Sequence, residues 1–434
     1  MLKNSQWQKF YNNIKAEEWP ECLQEADFHA LPVAVKKECI NNFGYVPGIY
    51  SLREQLDKNK SFCIMPFVHL YINENNHVAP CCLGTTIKVH NDKFNFYNDT
   101  DFIRIRERMQ KGERVRECSS CYILEDNGAD SGRIRNTMDW AAKLNTTDIE
   151  KITTNLQYYD VRNDNLCNLA CRTCRPCSST QLEKEYKELN WYFDINSNQS
   201  KLSEIIDYST VKKVYVAGGE PTLMPEFTKF LNTAIEKDRT DIELVIITNT
   251  TNVNKNILNL LTHFKNVSFT LSLDGYDQVN RYIRWPSDWS TIVSNIEKLK
   301  TVTSNISVNV TVSIYNITRL YELVCFLEQA LPSPATILLN QARGKYYEPF
   351  DFPNKKLAVA RLELLKQTKS YDKEYFFKEK VDYFINMIKQ SILNKSNLIG
   401  FFEYNDALDN SRGIKLADYI PELDECRKLI TKQI

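Results

Sequence analysis

The chain has 434 residues, more than one hydrophobic core usually holds, so a principal domain with one or two smaller modules is expected. Its 55 Lys and Arg balance 55 Asp and Glu, which removes whole-molecule charge as a reason to expect nucleic acid or an acidic membrane as partner. No stretch approaches the ~20 apolar residues that cross a bilayer, and the opening MLKNSQWQKFYNNIK lacks the apolar centre of a signal peptide, so a soluble, cytoplasmic protein without a membrane partner is expected.

In chain order, residues 1–55 read as a helical N-terminal segment. Residues 56–150 read as a cysteine-rich module built on the alternating run FVHLYINENNHVAPCC, a predicted hairpin turning at Glu74 to Asn76. Cys63 opens its first strand, Cys81 and Cys82 close its second, and Cys118 and Cys121 follow in ECSSCYILEDNGADSGRIR. From 151 to 345, short β-branched runs alternate with amphipathic stretches, the pattern of repeated β-α units. Six strands are predicted: Leu156 to Val161, Lys213 to Ala217, Glu243 to Thr248, Val267 to Leu273, Ser307 to Ile314 and Thr336 to Asn340. PEFTKFLNTAIEK, NKNILNLLTHF, STIVSNIEKLK and TRLYELVCFLEQAL carry apolar residues three and four apart, as helices covering a sheet require. The class is therefore α/β with parallel strands, open or curled into a barrel, and its chemistry is expected at the carboxyl ends of the strands. Residues 346–434 form a helical C-terminal extension, in which Asp409 and Arg412 have no derivable role.

Thirteen cysteines need a reason in a reduced compartment, where disulfide scaffolds are rare. Nine of them fall between Cys63 and Cys177, while Cys22, Cys39, Cys325 and Cys426 are scattered and suit buried thiols. NDNLCNLACRTCRPCSS, directly after the first strand, puts Cys167, Cys171 and Cys174 in CxxxCxxC spacing. Three thiolates serve three irons of a 4Fe-4S cluster and leave the fourth open for chemistry. Cys177 adds a second CxxC, so a closed four-thiolate zinc site is the competing reading. Cys63, Cys81 or Cys82, Cys118 and Cys121 suit a fully ligated cluster or a structural zinc equally by counting. His69 and His77 read as satisfied hairpin side chains.

CNLACRTC after the first strand and AGGEPTLMPEF after the second resemble the radical S-adenosylmethionine (radical SAM) superfamily. The resemblance runs over about 155–342, through ITNTT and SLDGYDQVNRYIR. It implies a partial (β/α)6 barrel, a catalytic 4Fe-4S cluster on Cys167, Cys171 and Cys174, and S-adenosylmethionine chelating the open iron through its amino and carboxylate groups. Reductive cleavage would give a 5'-deoxyadenosyl radical that takes hydrogen from a substrate, by analogy a peptide or protein. The electron donor would be of flavodoxin or ferredoxin type. By similarity, Gly218 and Gly219 let backbone approach the ligand, Glu220 accepts from the methionine ammonium, and Pro221 stiffens the turn. Ser272 and Asp274 would reach ribose hydroxyls, and Arg284 the methionine carboxylate.

Plainer readings stand beside these. The GGEP run is by itself a turn, Asp274-Gly275 reads equally as a strand end, Arg284 as a cation stacked on Trp285, and Asn249 and Asn340 as loop caps or pocket lining. Where many members of the superfamily have an aromatic residue before the third cysteine, this chain has Thr173, so adenine stacking must come from elsewhere or be weaker. The upstream module resembles Twitch, a shortened relative of SPASM, placed here before the barrel. That resemblance implies an auxiliary 4Fe-4S cluster on Cys63, Cys81, Cys118 and Cys121, with Cys82 the alternative to Cys81. The competing class is a zinc-stabilised module that binds nucleic acid or protein, which needs clustered Lys and Arg with exposed aromatics.

Overall fold

A computed structural model describes residues 49–73, 77–87, 98–126, 131–144, 146, 148–162, 164–193, 202–331, 336–344, 346–373 and 375–431. Cys22, Cys39, most of the predicted 1–55 segment and the turn at Glu74 to Asn76 lie outside the described residues. Two compact units divide the chain, with the change from the first to the second between Gln157 and Tyr158.

The first unit holds helices Ile49–Lys58, Met65–Val68, Thr100–Gln110, Ser119–Asp126 and Gly132–Leu144, and two neighbouring short strands, β1 (His69–Ile72) and β2 (Val78–Ala79). The strand predicted to begin at Cys63 starts six residues later. Pro66 sits in the first turn of Met65–Val68, where its missing N–H costs nothing, and Phe67 N donates to Ile64 O at 2.9 Å, so this stretch coils before it extends. The core gathers Phe62, Phe67, Phe102, Ile105 and Met109. His69 is buried and its Nδ1 bonds Pro80 O at 2.8 Å, a satisfied hairpin side chain.

The second unit is a mostly parallel α/β sheet. Its six long strands are β3 (Tyr158–Arg162), β5 (Lys213–Ala217), β6 (Glu243–Thr248), β7 (Asn266–Ser272), β9 (Ile306–Val312) and β10 (Ile337–Gln341). A small antiparallel pair, β4 (Ala170–Cys171) with β8 (Arg284–Trp285), stands apart from them. The long strands lie side by side in chain order, β3-β5-β6-β7-β9-β10, and every pairing among them is parallel. A doubly wound sheet would reverse this order at a switch point; unreversed order with right-handed crossovers puts the helices on one face, as in a curled or barrel-like sheet.

Burial follows the same logic. Ile306, Val308, Val310 and Val312 of β9 are buried and the residues between them half-buried, so one face is covered more fully than the other. The covering helices are amphipathic, burying Phe227, Phe230, Leu231 and Ala234 in Pro225–Glu236 and Leu320, Leu323, Val324 and Leu327 in Leu320–Ala330. At about 1.5–3 kcal/mol per fully buried large side chain, such stripes outweigh local propensity in fixing these helices. Beyond the sheet come helices Lys355–Leu364, Tyr375–Gln390 and Lys395–Arg412. No described helix is long and apolar enough to cross a membrane.

Candidate active site

At the carboxyl ends of β3, β5, β6 and β7 lies a cavity of about 280 Å³, lined by Cys167, Cys171 and Cys174 together with Gly218, Gly219, Asn249, Ser272 and Arg284. Parallel strands end in outward-pointing backbone groups and loops, which is why this rim collects the polar side chains. Cys177 is not among the lining residues; its Sγ sits 3.9 Å from Ser178 Oγ. Thr173 lines the cavity, with no aromatic ring at that position.

The two motifs meet backbone to backbone. Gly219 N donates to Asp164 O and Glu220 N to Leu166 O, both at 2.8 Å. Gly218 has φ +95°, and a Cβ there would come within 2.9 Å of Asp164 O; a Cβ on Gly219 would overlap Leu166 O. The glycines are thus required for the turn to lie against Arg162, Asp164, Asn165 and Leu166, at the start of the cysteine loop, rather than for ligand approach alone.

Glu220 departs from expectation. Its side chain is fully buried and absent from the cavity lining. Oε1 accepts from Thr222 N, Thr222 Oγ1 at 2.7 Å and Thr248 Oγ1 at 2.9 Å, and Oε2 accepts from Asn249 N at 2.6 Å. Burial pushes its pKa up and these bonds hold it down. The carboxylate is a brace between the ends of β5 and β6, with its acceptor sites largely spent. Next to it, Thr250 has φ +65°, a left-handed conformation that a β-branched residue rarely adopts.

Asp274 is also committed elsewhere. It is fully buried, ion-paired to Arg284 at 2.7 Å, and its Oδ1 accepts from Thr311 N at 2.7 Å. Arg284 itself faces the cavity and is the β8 partner of Cys171 across the small antiparallel pair. The cation stacked on Trp285 is Arg281, not Arg284; its guanidinium lies 4.8 Å from that ring. Ser272 lines the cavity, and Asn340 is on the exposed face of β10 bonded to Asn309. Asn249, left open in the sequence, lines the cavity; its Nδ2 lies 3.8 Å from Cys167 Sγ and donates to Asn168 Oδ1 at 3.0 Å.

Desolvation pushes the Cys167 thiol up to about 12 and raises those of Cys171 and Cys174 as well; the neighbouring thiols add to the rise at Cys167 and Cys174, and Arg284 opposes it at Cys171 and Cys174. A buried thiol set of this kind becomes a thiolate set only with a cation beside it, which is the donor chemistry of an iron-sulfur or metal site. The three sulfur donors, two glycines and a cavity-facing Arg284 fit a cluster with an amino acid ligand.

In the first unit Cys63, Cys81, Cys118 and Cys121 line one enclosed cavity of about 10 Å³, closed by Gly132 and Arg133, whereas Cys82 is exposed. Desolvation raises the Cys63 thiol to about 12 and those of Cys81 and Cys118 further. The Arg133 cation works against the rise at Cys63; it is buried, paired with Glu125 and bonded to Phe62 O at 2.8 Å. In the sequence, the signal for Arg133 is an arginine in GADSGRIR, downstream of Cys118 and Cys121. Among the described residues no group of three or more His, Cys, Asp or Glu side chains is arranged to hold a single metal ion.

The second unit is thus a sequential parallel α/β sheet with a three-cysteine loop and a glycine turn at its carboxyl rim. Residues 165–321 match the family model of the Radical SAM superfamily. No curated protein matches the chain. Among solved structures it is similar to native anSMEcpe with bound AdoMet, at 16% identity over 49% of this chain and 59% of that one, TM-score 0.35. It is also similar to Streptococcus suis SuiB bound to precursor peptide SuiA, at 14% identity over 76% of this chain and 71% of that one, TM-score 0.32. The chain thus spans under two thirds of the length of anSMEcpe.

Proposed function

We propose that the protein is a radical S-adenosylmethionine enzyme that modifies a peptide or protein side chain. The observation that carries the reading is that three cysteines of one loop, and not Cys177, line the cavity at the carboxyl rim of a sheet that the Radical SAM family model matches in part. A 4Fe-4S cluster bound there would supply one electron for cleavage of S-adenosylmethionine into methionine and a 5'-deoxyadenosyl radical able to take a hydrogen atom from the substrate. Cys167, Cys171 and Cys174 hold it, and Asn249 orients the Cys167 sulfur. Arg284, fixed and partly neutralised by Asp274, pairs with the methionine carboxylate. Gly218 and Gly219 present backbone to the amino end of the ligand, and Ser272 is within the same rim for a ribose hydroxyl. Glu220 and Asp274 act behind the surface, Glu220 as the brace of the turn and Asp274 as the anchor of Arg284.

The substrate side is supported by a second cavity, about 680 Å³, that shares Cys174 and Arg175 with the first. Tyr186, Trp191, Tyr346 and Tyr404 line it, with Trp191 stacked on Tyr404 at 5.2 Å between centroids and Tyr346 on Tyr404 at 5.9 Å. Such a wall suits an apolar or aromatic side chain presented beside the radical. In the first unit Cys63, Cys81, Cys118 and Cys121 would hold an auxiliary cluster of Twitch type, and a flavodoxin or ferredoxin would supply electrons. The burial of Cys81 and exposure of Cys82 support that choice of ligand.

Anaerobic purification and reconstitution test the reading. A brown protein with iron and sulfide for two clusters, releasing 5'-deoxyadenosine on reduction with S-adenosylmethionine, is expected. A colourless protein containing zinc at Cys167, Cys171, Cys174 and Cys177 overturns it. Deuterium transfer from labelled candidate peptides into 5'-deoxyadenosine then identifies the substrate.

A further inference from the structure

The helix Lys395–Arg412 lies beyond the residues that match the family model, yet its bonds converge on the cysteine loop. Arg172, between the second and third cysteines, is fully buried, with its guanidinium 3.8 Å from the Tyr282 ring. Its Nε donates to Tyr282 O at 2.8 Å, Nη1 to Asn405 Oδ1 at 2.8 Å, and Nη2 to Asp409. Asp409 also accepts from Tyr282 Oη at 3.0 Å and from Leu416 N at 2.7 Å. The loop's own carbonyls are taken from the same helix: Tyr404 Oη donates to Arg172 O at 3.0 Å and Arg412 Nη2 to Ala170 O at 2.8 Å. Arg412 is in turn held by Glu185, whose oxygens accept from Nε and Nη2.

We infer that this helix is a clamp that holds residues 167–174 in their ligand-binding shape, with Asp409 and Arg412 as positioning residues for Cys171 and Cys174. A loop of eight residues with three thiols facing one cavity has few backbone bonds of its own, and its shape must be imposed from outside. Asn405 and Asp409 are polar members of an otherwise apolar buried stripe, Leu398, Phe401, Phe402 and Leu408, so they trade hydrophobic burial for these bonds. Removing one partner leaves the Arg172 cation buried without its counter-charge, which is far costlier than losing a surface pair. The inference rests on the proposed function only in taking this loop as the cluster loop.

Alkylation of the cluster-free, full-length protein by iodoacetamide, followed cysteine by cysteine by mass spectrometry, reads the clamp without any enzyme activity. Asp409→Asn and Arg412→Lys are compared with wild type and with Glu422→Gln, which breaks the Arg319 ion pair elsewhere in the C-terminal region. Both clamp variants are expected to alkylate Cys171 and Cys174 about tenfold faster through local opening, with Cys325 unchanged and Glu422→Gln like wild type. After anaerobic reconstitution the same variants are expected to shift the EPR spectrum of the reduced cluster. Unchanged rates at Cys171 and Cys174 overturn the clamp, as does acceleration spread equally to Cys325. If Asp409→Asn does not fold, Arg412→Lys, which keeps the charge facing Glu185, decides alone. A wild type that assembles no cluster at this loop overturns the proposed function, while the alkylation result still judges the clamp.

Discussion

The two cysteine sites are built in opposite ways. In the second unit three thiols come from one loop of eight residues and face a cavity of about 280 Å³ whose wall includes Gly218, Gly219, Asn249, Ser272 and Arg284. In the first unit four thiols are gathered from the turn before Met65–Val68, the end of β2 and the start of Ser119–Asp126, around about 10 Å³. Room and polar neighbours suit a site that must admit a ligand. Gathering from distant positions suits one that ties elements together.

Substitutions sharpen this contrast. Cys171→Ser is expected to bring 5'-deoxyadenosine release below detection while leaving the iron of the first unit, as read by iron and sulfide analysis of the anaerobic protein. Cys121→Ser should do the reverse, keeping cleavage of S-adenosylmethionine but lowering the melting temperature by about 10 °C, since a site that holds a small unit together contributes folding free energy directly and about 2 kcal/mol moves a 100-residue unit by that much. Loss of cleavage with no thermal effect would remove the distinction. Arg284→Lys, which keeps the charge and loses the planar fork, should weaken S-adenosylmethionine binding about tenfold by equilibrium dialysis. Thr248→Val removes one donor to the buried Glu220 carboxylate and should cost about 1–3 kcal/mol in denaturant unfolding. Cys82→Ser, at an exposed position, should leave iron content unchanged and stability within about 0.5 kcal/mol; loss of iron would make Cys82 a ligand.

Much of the second unit was legible because its signals are local. β-branched runs found all six long strands, with Lys213–Ala217 and Glu243–Thr248 matched at both ends and the others displaced by one or two residues. The cysteine loop and the glycine turn were readable as spacing. Side-chain direction was not: Glu220 and Asp274 each sit at a strand end, and nothing in their neighbours' identity says that one carboxylate turns toward Thr248 and the other toward Arg284. Partners far apart in the chain were hidden altogether. Arg172 and Asp409 are 237 residues apart, and the available hint was the pair Asn405 and Asp409, four residues apart within an apolar stripe. Cys63 was misplaced because an alternating run also accommodates a single helical turn once Pro66 starts it.

The touching of the turn at Gly218–Gly219 with Arg162, Asp164, Asn165 and Leu166 has a consequence for reading relatives of this chain. Since those two residues are small so that one loop can lie on another, a descendant that had shed its thiols and its chemistry would still be under pressure to keep them. The glycine pair therefore marks inheritance of a shape, and only the sulfur atoms report whether a descendant retains a reaction.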